Sequence, residues 1–389
     1  MRNLIYLDNA ATTPLDEKVL KAMTPYFLEK YGNASSLHSK GQEAKFALEE
    51  SRKIIAKSIN AGTDEIIFTS GGTESNNLAI KGLAFAYPEK KHIIISRIEH
   101  DSVLNACKFL ESKGYEITYL NVDKDGFVNL RELEKAITSN TLLVSIINGN
   151  NEIGTIQDLE KIGKICKERK VFFHTDACQS YTKTEINVKK QNLDLVTLNA
   201  HKIHGPKGVG ALYLRQGIKI TPMAHGGGHE KGLRAGTENI SGIVGFAEAV
   251  KVIKKSDVEK MTKLRNLLIS GLEKIKGSNL NGPIGEKRLC NNINFSFEGV
   301  EGEAIGGYLD AKGISSSTGS ACSSKSLEPS HVLLAIGLKP EEAHGSLRLS
   351  LSKFNTEEEI NIVLEKLPKI IARLRKISPF EKIVDKLVK

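Results

Sequence analysis

The chain has 389 residues, with 55 lysines and arginines against 46 aspartates and glutamates, which gives a formal net charge of +9 at pH 7. This length suits two or three domains, and the interspersed charges favour anion binding over nucleic-acid binding. No apolar run approaches the roughly 20 residues of a membrane span, and the first residues lack the apolar core of a signal peptide, so a soluble, cytoplasmic protein without a membrane partner is expected.

The N-terminal part of the chain predicts a phosphate-binding turn. The elements before that turn are a strand over 3–8, the turn DNAATTP, a helix over 15–31 and a helix over 42–59. An apolar strand over 65–70 then runs into GGTESNN, where Gly72 and Thr73 open a helix. In such a segment, backbone N–H groups and a threonine hydroxyl can point at a phosphate. A capped helix start without a ligand is the alternative interpretation.

Strands and helices continue to alternate after this turn. The next predicted strands cover 92–96, 116–120, 142–146, 171–174, 193–198 and 209–214. Strands separated by helical segments predict a mainly parallel α/β sheet with right-handed connections. In such sheets ligands bind beyond the carboxyl ends of the strands. The polar residues that follow predicted strands are therefore expected to meet at one edge of the sheet: Thr73, His100, Asn151, Asp176, Gln179, His201 and Lys202.

Lys202 is the candidate for a covalent bond to a cofactor. It lies in the turn NAHKIHGPKG, between the strands 193–198 and 209–214, directly after His201. A lysine at such a place can hold an aldehyde cofactor as a Schiff base. The alternative is a basic hairpin turn with every lysine in water, which is what we expect for Lys207.

The other polar residues at that edge suit pyridoxal phosphate. Asp176 could keep the pyridinium nitrogen protonated, so that the ring withdraws electrons from a substrate carbanion. His100 could lie flat against the ring. The remaining residues could bind the cofactor's oxygens: Asn151 and Gln179 the ring hydroxyl, Thr73 and His201 the phosphate.

The C-terminal part of the chain predicts a binding loop and a second domain. Residues 223–239, here called the glycine-rich loop, read MAHGGGHEKGLRAGTEN and have too many glycines for a helix or a strand. A long amphipathic helix over 243–275 would lead to the second domain. The elements predicted there are a strand at 291–297, a helix at 303–312, a strand at 346–354 and a helix at 356–375. We therefore predict a large domain over 15–262 and a small domain formed by 1–14 and 263–389. The small domain carries Cys322.

Five cysteines without a CxxC pair predict neither a disulfide framework nor a structural zinc site, and no other metal site is predicted. Cys322 differs from the others because its neighbours are small residues and Lys325, which predict an exposed thiol with thiolate character. Arg348 has a planar guanidinium that suits an amino acid's carboxylate, although it could be an ordinary strand cation. The remaining cysteines lie in or beside apolar periodic segments and are expected to be buried: Cys107, Cys166, Cys178 and Cys290.

Eight motifs follow one another as DNAATTP, TSGGTESNN, NNEIG, DACQS, AHKIHGPKG, HGGGHEKGLRAGTEN, GSACSS and SLRLSLSKF. In order and spacing, across nearly the whole chain, they resemble a cysteine desulfurase of the iron–sulfur cluster assembly type, in the class V aminotransferase family. The resemblance implies an α/β, fold-type I pyridoxal phosphate enzyme that acts as a homodimer. It also implies removal of sulfur from L-cysteine, which leaves alanine and a persulfide on the enzyme's own thiol, and sulfur delivery to an iron–sulfur scaffold protein or another acceptor.

The resemblance also assigns roles to single residues. It implies that Lys202 is the Schiff-base residue and that Thr237 reaches the phosphate from the partner subunit. It implies Cys322 as the sulfur-accepting thiol and Arg348 as the residue that binds the substrate carboxylate. The chain departs from the family at Asn199, where a serine phosphate ligand is common; an amide can still donate a hydrogen bond to phosphate.

Two other classes of function would use part of this residue set. Transamination or selenocysteine lysis would use Lys202 and Asp176 but would not need a thiol, and the presence of Cys322 argues against transamination. A non-enzymatic sulfur carrier or assembly platform would need Cys322 but no Schiff-base lysine. The identity of the sulfur acceptor, the activity on selenocysteine and the ligation of a cluster by Cys322 stay open.

Overall fold

The computed structural model describes residues 4–318 and 328–377, and Cys322 therefore lies outside the described residues. The strands are β1 (Ile5–Tyr6), β2 (Ile66–Thr69), β3 (His92–Ser96), β4 (Glu116–Leu120), β5 (Thr141–Ser145), β6 (Phe172–Asp176), β7 (Leu195–Asn199), β8 (Gly210–Leu214), β9 (Ser278–Leu280), β10 (Asn292–Phe297), β11 (Ile314–Ser315) and β12 (Ser346–Ser350). The helices are α1 (Glu17–Met23), α2 (Pro25–Leu28), α3 (Ser39–Ser58), α4 (Gly72–Asn77), α5 (Leu83–Ala86), α6 (Asp101–Glu111), α7 (Leu130–Ala136), α8 (Leu159–Glu168), α9 (Ile240–Val252), α10 (Lys255–Leu272), α11 (Gly302–Asp310), α12 (His331–Ala335), α13 (Pro340–His344) and α14 (Glu357–Ile377).

The larger sheet has the strand order β2-β8-β7-β6-β5-β3-β4. Neighbouring strands from β3 to β7 pair in parallel, whereas β8 runs antiparallel to both β7 and β2. Because β2 consequently points in the same direction as β7, the carboxyl ends of every strand except β8 lie at one edge. The prediction of a mainly parallel α/β sheet is confirmed.

Helices cover both faces of this sheet. Along β3, Ile94 belongs to one apolar cluster with Val144 and Val196, whereas Ile93 and Ile95 belong to a second cluster. The alternation follows from the two-residue period of side chains along a strand. Residues of α3 and α9 complete the first cluster, and residues of α6 and of the π-helical segment Leu78–Gly82 after α4 complete the second. Strands buried on both faces in this way are typical of parallel sheets.

A separate apolar cluster surrounds the smaller sheet. Strands β12, β10 and β9 pair antiparallel in that order, and α10, α11 and α14 pack their apolar residues against them. The N-terminal strand β1 pairs in parallel with β11, and Asp8 bridges to Ser350 of β12. Residues 5–8 thus pack with the last third of the chain. The domain boundary at residue 263 stays a prediction; α10 spans that position.

Two predicted helices are each interrupted in the structure. The helix predicted over 15–31 is divided into α1 and α2, because Pro25 cannot donate the N–H hydrogen bond of a continuing helix. The helix predicted over 243–275 is divided into α9 and α10 by an extended backbone at Ile253 and Lys254. The break lets α9 pack in the core of the larger sheet and α10 in that of the smaller sheet. No described helix is both long enough and apolar enough to traverse a lipid bilayer.

Candidate active site

The residues predicted to meet at one sheet edge do follow the carboxyl ends of strands. Thr73 is in the first turn of α4, after β2, and His100 caps α6, after β3. Asn151 follows β5, Asp176 ends β6, and Lys202 follows β7. The parallel direction of these strands therefore gathers side chains that are up to 129 residues apart in the sequence.

Asp176 is a buried carboxylate that stays ionised. Its two oxygens accept hydrogen bonds from Asn76 Nδ2 at 2.7 Å and from the backbone N–H of Cys178 at 2.9 Å. Burial raises the pKa of Asp176, but the nearby His100 and these two donors outweigh burial, and the pKa lies below its usual value. Since its hydrogen-bond partners are neutral, Asp176 keeps a full negative charge to offer to a cationic ring nitrogen.

His100 is tied to the same group of side chains. Its Nδ1 accepts a hydrogen bond from the backbone N–H of Ser102 at 3.1 Å, and Asn76 Nδ2 lies 2.8 Å from Ser102 Oγ. Burial holds the pKa of His100 below its usual value despite the attraction of Asp176, and Lys202 lowers it further. His100 is thus a neutral ring with its proton on Nε2. Sequence reasoning missed Asn76, although it lies within the TSGGTESNN motif.

The turn that carries Lys202 is held by the N-terminal DNAATTP segment. Thr13 donates from its backbone N–H and from its hydroxyl to the His201 carbonyl, at 3.0 and 2.8 Å. The backbone N–H of His204, which has a positive φ of 65°, donates to Thr13 Oγ1 at 2.9 Å. These bonds hold the left-handed turn beside Lys202. Sequence analysis placed DNAATTP in a turn but did not connect it to Lys202.

Lys183 is a second lysine of the site, and it was missed by sequence analysis. Lys183 is half-buried, and its Nζ donates to the carbonyls of Gln179 at 2.9 Å and Lys202 at 3.2 Å. Burial lowers the pKa of Lys183 to about 8; the positive charge of Lys202 adds to this effect, while Cys290 opposes it. The two hydrogen bonds fix the backbone of Gln179 and Lys202, and holding the ammonium group there has a cost in stability.

Replacing Lys183 by methionine should therefore change how stability depends on pH. The pKa of Lys183 is about 8 in the folded protein against 10.5 ordinarily, so between these values only the unfolded chain holds the proton. Wild-type stability should rise through that window, by up to about 3 kcal/mol relative to the Lys183→Met variant. Thermal unfolding of both apoproteins at about pH 7 and about pH 9.5 measures this. Parallel pH dependences in the two proteins would contradict the assignment.

The predicted phosphate end of the site is tightly packed. A Cβ on Gly72 would lie 2.6 Å from Cys178 Sγ, so only glycine fits there. Thr73 is exposed at the same turn. His201 Nδ1 lies 3.2 Å from Thr12 Oγ1, and burial, reinforced by Lys202, lowers the pKa of His201 to about 4. Asn199 Nδ2 lies 3.4 Å from His201 Nε2, and its Oδ1 is buried without a partner among the described residues.

Arg348 has an unused hydrogen-bond donor. Its Nη2 contacts Asp8 Oδ1 at 3.0 Å, and its Nη1 donates to the carbonyl of Asn151 at 3.2 Å. Its Nε is buried and has no partner among the residues that the structure describes. A buried guanidinium donor left without a partner is costly, which fits a ligand carboxylate at this place.

The turn after β5 joins several parts of this region. The carbonyl of Asn151 accepts from Arg348, as above, and Glu152 Oε2 accepts from Ser330 Oγ at 2.5 Å. Burial raises the pKa of Glu152 to about 7, against the opposing effects of Ser330 and Arg348. Ser330, which caps α12, is thereby bonded to the residue that follows Asn151, whose carbonyl binds Arg348. Sequence analysis did not single out Glu152.

The cofactor-binding roles of Gln179 and Thr237 stay predictions. Gln179 Nε2 donates to the carbonyl of Ala10 at 2.8 Å, which commits one of its donors within the chain. Thr237 is exposed on the glycine-rich loop and lines a cavity with Ser70 and Gly208.

The residues at this edge fit pyridoxal phosphate. An ionised, buried carboxylate suits the pyridinium nitrogen, backbone N–H groups of the glycine turn can bind a phosphate, and a lysine follows β7, which neighbours the central strand β6. Each of these features is a property of the chain itself: Asp176, Gly72 and Lys202.

Comparisons with known proteins agree with this geometry. Residues 5–363 match the family model "Aminotransferase class-V". The chain is 53% identical over 386 residues to the cysteine desulfurase IscS of Dictyoglomus turgidum, covering 98% of both chains, and 52% identical over 380 residues to that of Methanosarcina thermophila, covering 96% of this chain and 94% of the relative.

Solved structures give the same result. A NifS-like protein superposes with a TM-score of 0.90 at 40% identity, covering 95% of this chain and 100% of that structure. SspA in complex with cysteine superposes with a TM-score of 0.82 at 40% identity, covering 90% and 100%. The predicted fold-type I architecture is confirmed. The chain belongs to the aminotransferase class-V family and, within it, to the cysteine desulfurases.

Proposed function

We propose that this protein is a pyridoxal phosphate-dependent cysteine desulfurase, which converts L-cysteine to L-alanine and keeps the sulfur as a persulfide on Cys322. The observation that carries the proposal is the buried, ionised Asp176 at the same sheet edge as Lys202, in a chain about half identical to cysteine desulfurases. When bound, pyridoxal phosphate supplies an electron sink for the substrate's α-carbon.

The chain's own residues would bind and orient that cofactor. Asp176 would bind the ring nitrogen, His100 would lie against the ring, and Lys202 Nζ would bond the aldehyde carbon. The remaining contacts would be made by Asn151 and Gln179 at the ring hydroxyl, and by Gly72, Thr73, Asn199, His201 and the partner subunit's Thr237 at the phosphate.

Substrate binding and proton movement fall to three residues. Arg348 would bind the substrate carboxylate through its unpaired Nε, while Asp8 and Asn151 hold the other guanidinium nitrogens. Lys202 Nζ would take the α-proton from the substrate and return a proton on the way to alanine.

Cys322 would complete the reaction as a nucleophile. Its thiolate attacks the substrate sulfur, so an S–S bond forms as the C–S bond breaks, and the electron pair of that bond stays on the substrate carbon, which then takes up a proton. Cysteine and a thiol thus give alanine and a persulfide, with no external oxidant or reductant. The persulfide would pass to an iron–sulfur scaffold protein or another acceptor, in the cytoplasm, where a thiol stays reduced.

We also propose that the protein acts as a homodimer. Large apolar side chains that are 56–92% exposed cluster within 20 residues around α2 and the start of α3: Phe27, Leu28, Tyr31, Leu37 and Phe46. Covering them with a second copy would remove this apolar surface from water. The exposed Thr237 would then be available to the partner's site.

Absorption spectroscopy combined with product analysis tests the function. The purified protein should show visible absorption from its cofactor, and incubation with L-cysteine should yield L-alanine, with sulfide when a reducing agent is present. Absence of a chromophore would favour a sulfur carrier. Formation of a keto acid in place of alanine would favour a transaminase.

Replacing Asp176 by asparagine should leave the cofactor bound but slow turnover by on the order of a hundredfold, because a neutral amide does not stabilise the protonated ring nitrogen. The rate of alanine formation at saturating L-cysteine measures this. Asp194→Asn is a matched control: Asp194 is also largely buried, but it precedes β7 and so lies at the opposite edge of the sheet. Equal rates for wild type and Asp176→Asn would refute the assigned role.

A further inference from the structure

Glu230 is a buried residue in a segment whose other residues are not buried. From residue 221 to residue 241, which includes the glycine-rich loop, every other residue is exposed or half-buried. Acidic side chains are among the residues least often buried, and burial requires a partner for the charge. The burial of Glu230 therefore indicates a specific anchoring contact.

That contact is a two-pronged ion pair with Arg52 of α3. Arg52 Nη1 and Nη2 donate to the two carboxylate oxygens of Glu230, each at 2.7 Å. The backbone N–H of Phe68 in β2 donates to the same carboxylate at 2.7 Å, and Arg52 also bonds the carbonyl of Ile66. Because β2 is the edge strand of the larger sheet, Glu230 fixes the loop to the rim of the sheet.

The loop backbone is strained at this anchor. Glu230 and Lys231 have φ values of 44° and 60°, in the left-handed region that non-glycine residues rarely adopt. Two consecutive residues in that conformation persist only where surrounding contacts enforce it. The buried ion pair supplies such an enforcing contact.

A further contact leads from the anchor to the phosphate turn. Arg234 Nε contacts Glu74 Oε1 at 3.1 Å, and Glu74 Oε2 accepts from the backbone N–H of Ser70 at 2.7 Å. Ser70 directly precedes the glycine turn at 71–72, and Thr237 lines the cavity beside it. The loop is thus held at Glu230 and again at Arg234, which lies three residues before Thr237.

We propose that Arg52 and Glu230 are positioning residues, which hold the glycine-rich loop in the conformation that lets Thr237 bind the phosphate of the partner subunit's cofactor. This inference rests on the proposed cofactor and homodimer. It predicts a defect that is specific to the phosphate group, because only that group would lose a contact.

Titration of the apoprotein with pyridoxal phosphate and with pyridoxal tests the proposal. Glu230→Gln should weaken binding of pyridoxal phosphate at least about tenfold while leaving the affinity for pyridoxal unchanged. A matched control is Lys231→Met, which removes an exposed ion pair with Asp64 from the same loop and should leave both affinities unchanged. General destabilisation would lower both affinities together.

Because Glu230→Gln leaves Arg52 with the more exposed Glu49 as its remaining counter-charge, the double variant Arg52→Met/Glu230→Gln serves as a second test. It should show the same loss specific to the phosphate. Unchanged binding of pyridoxal phosphate, or an equal loss for both ligands, would overturn the proposal in either variant. A wild-type protein that binds no pyridoxal phosphate would instead refute the proposed function, and this inference with it.

Discussion

Replacing Lys202 by alanine is expected to abolish conversion of L-cysteine to L-alanine, by at least about 10⁴-fold. Without the amine of Lys202, the site lacks the group proposed to bond the cofactor's aldehyde and to move the substrate's α-proton. Alanine formation and the visible spectrum of the purified variant measure the two consequences separately. The absorption due to the covalent bond with Lys202 should be lost, whether or not the fold still retains the cofactor.

Lys207→Ala is the matched control for this prediction. Lys207 lies in the same turn but is exposed, and it takes no part in the hydrogen bonds that join Thr13 to His201 and His204. Its replacement should leave the rate and the spectrum close to wild type. If Lys202→Ala kept both instead, the site assignment would be wrong and Lys207 would become the candidate.

Replacing Cys322 by serine is expected to stop sulfur transfer while leaving the cofactor spectrum and substrate binding intact. Neither cofactor nor substrate contact requires the thiol, but a serine hydroxyl cannot accept sulfur as a persulfide. Production of sulfide and alanine should fall to background. Undiminished sulfide production by Cys322→Ser would exclude the proposed mechanism.

Mass spectrometry of the protein after exposure to L-cysteine identifies the residue that carries the sulfur. The other four cysteines are buried, and burial raises the pKa of each, to about 12 for Cys166 and about 11 for Cys290. Their thiols are therefore poor nucleophiles at neutral pH. A one-sulfur adduct should occur on Cys322 and persist in a Cys107→Ala control. An adduct found only on a buried cysteine would contradict the assignment.

Local sequence patterns predicted the larger sheet well. The bounds of β3 and β4 agree with the predicted strands residue for residue, because each is a short apolar run between clear turn signals. The two long helices were predicted without their breaks. The break at Pro25 could have been predicted from the local sequence, because proline ends a helix. The break at Ile253 depends instead on which core each half of the helix enters.

The sequence by itself determined the chemistry of this protein. The order of its motifs identifies the family, and the alternation of strands and helices places Asp176 and Lys202 at one sheet edge, since parallel strands align their carboxyl ends. Only the tertiary structure decided which side chains support them. Thr13, Asn76 and Lys183 hold the site through hydrogen bonds to residues 19 to 191 positions away. Such partners depend on how the elements pack in three dimensions, and no periodicity along the chain encodes them.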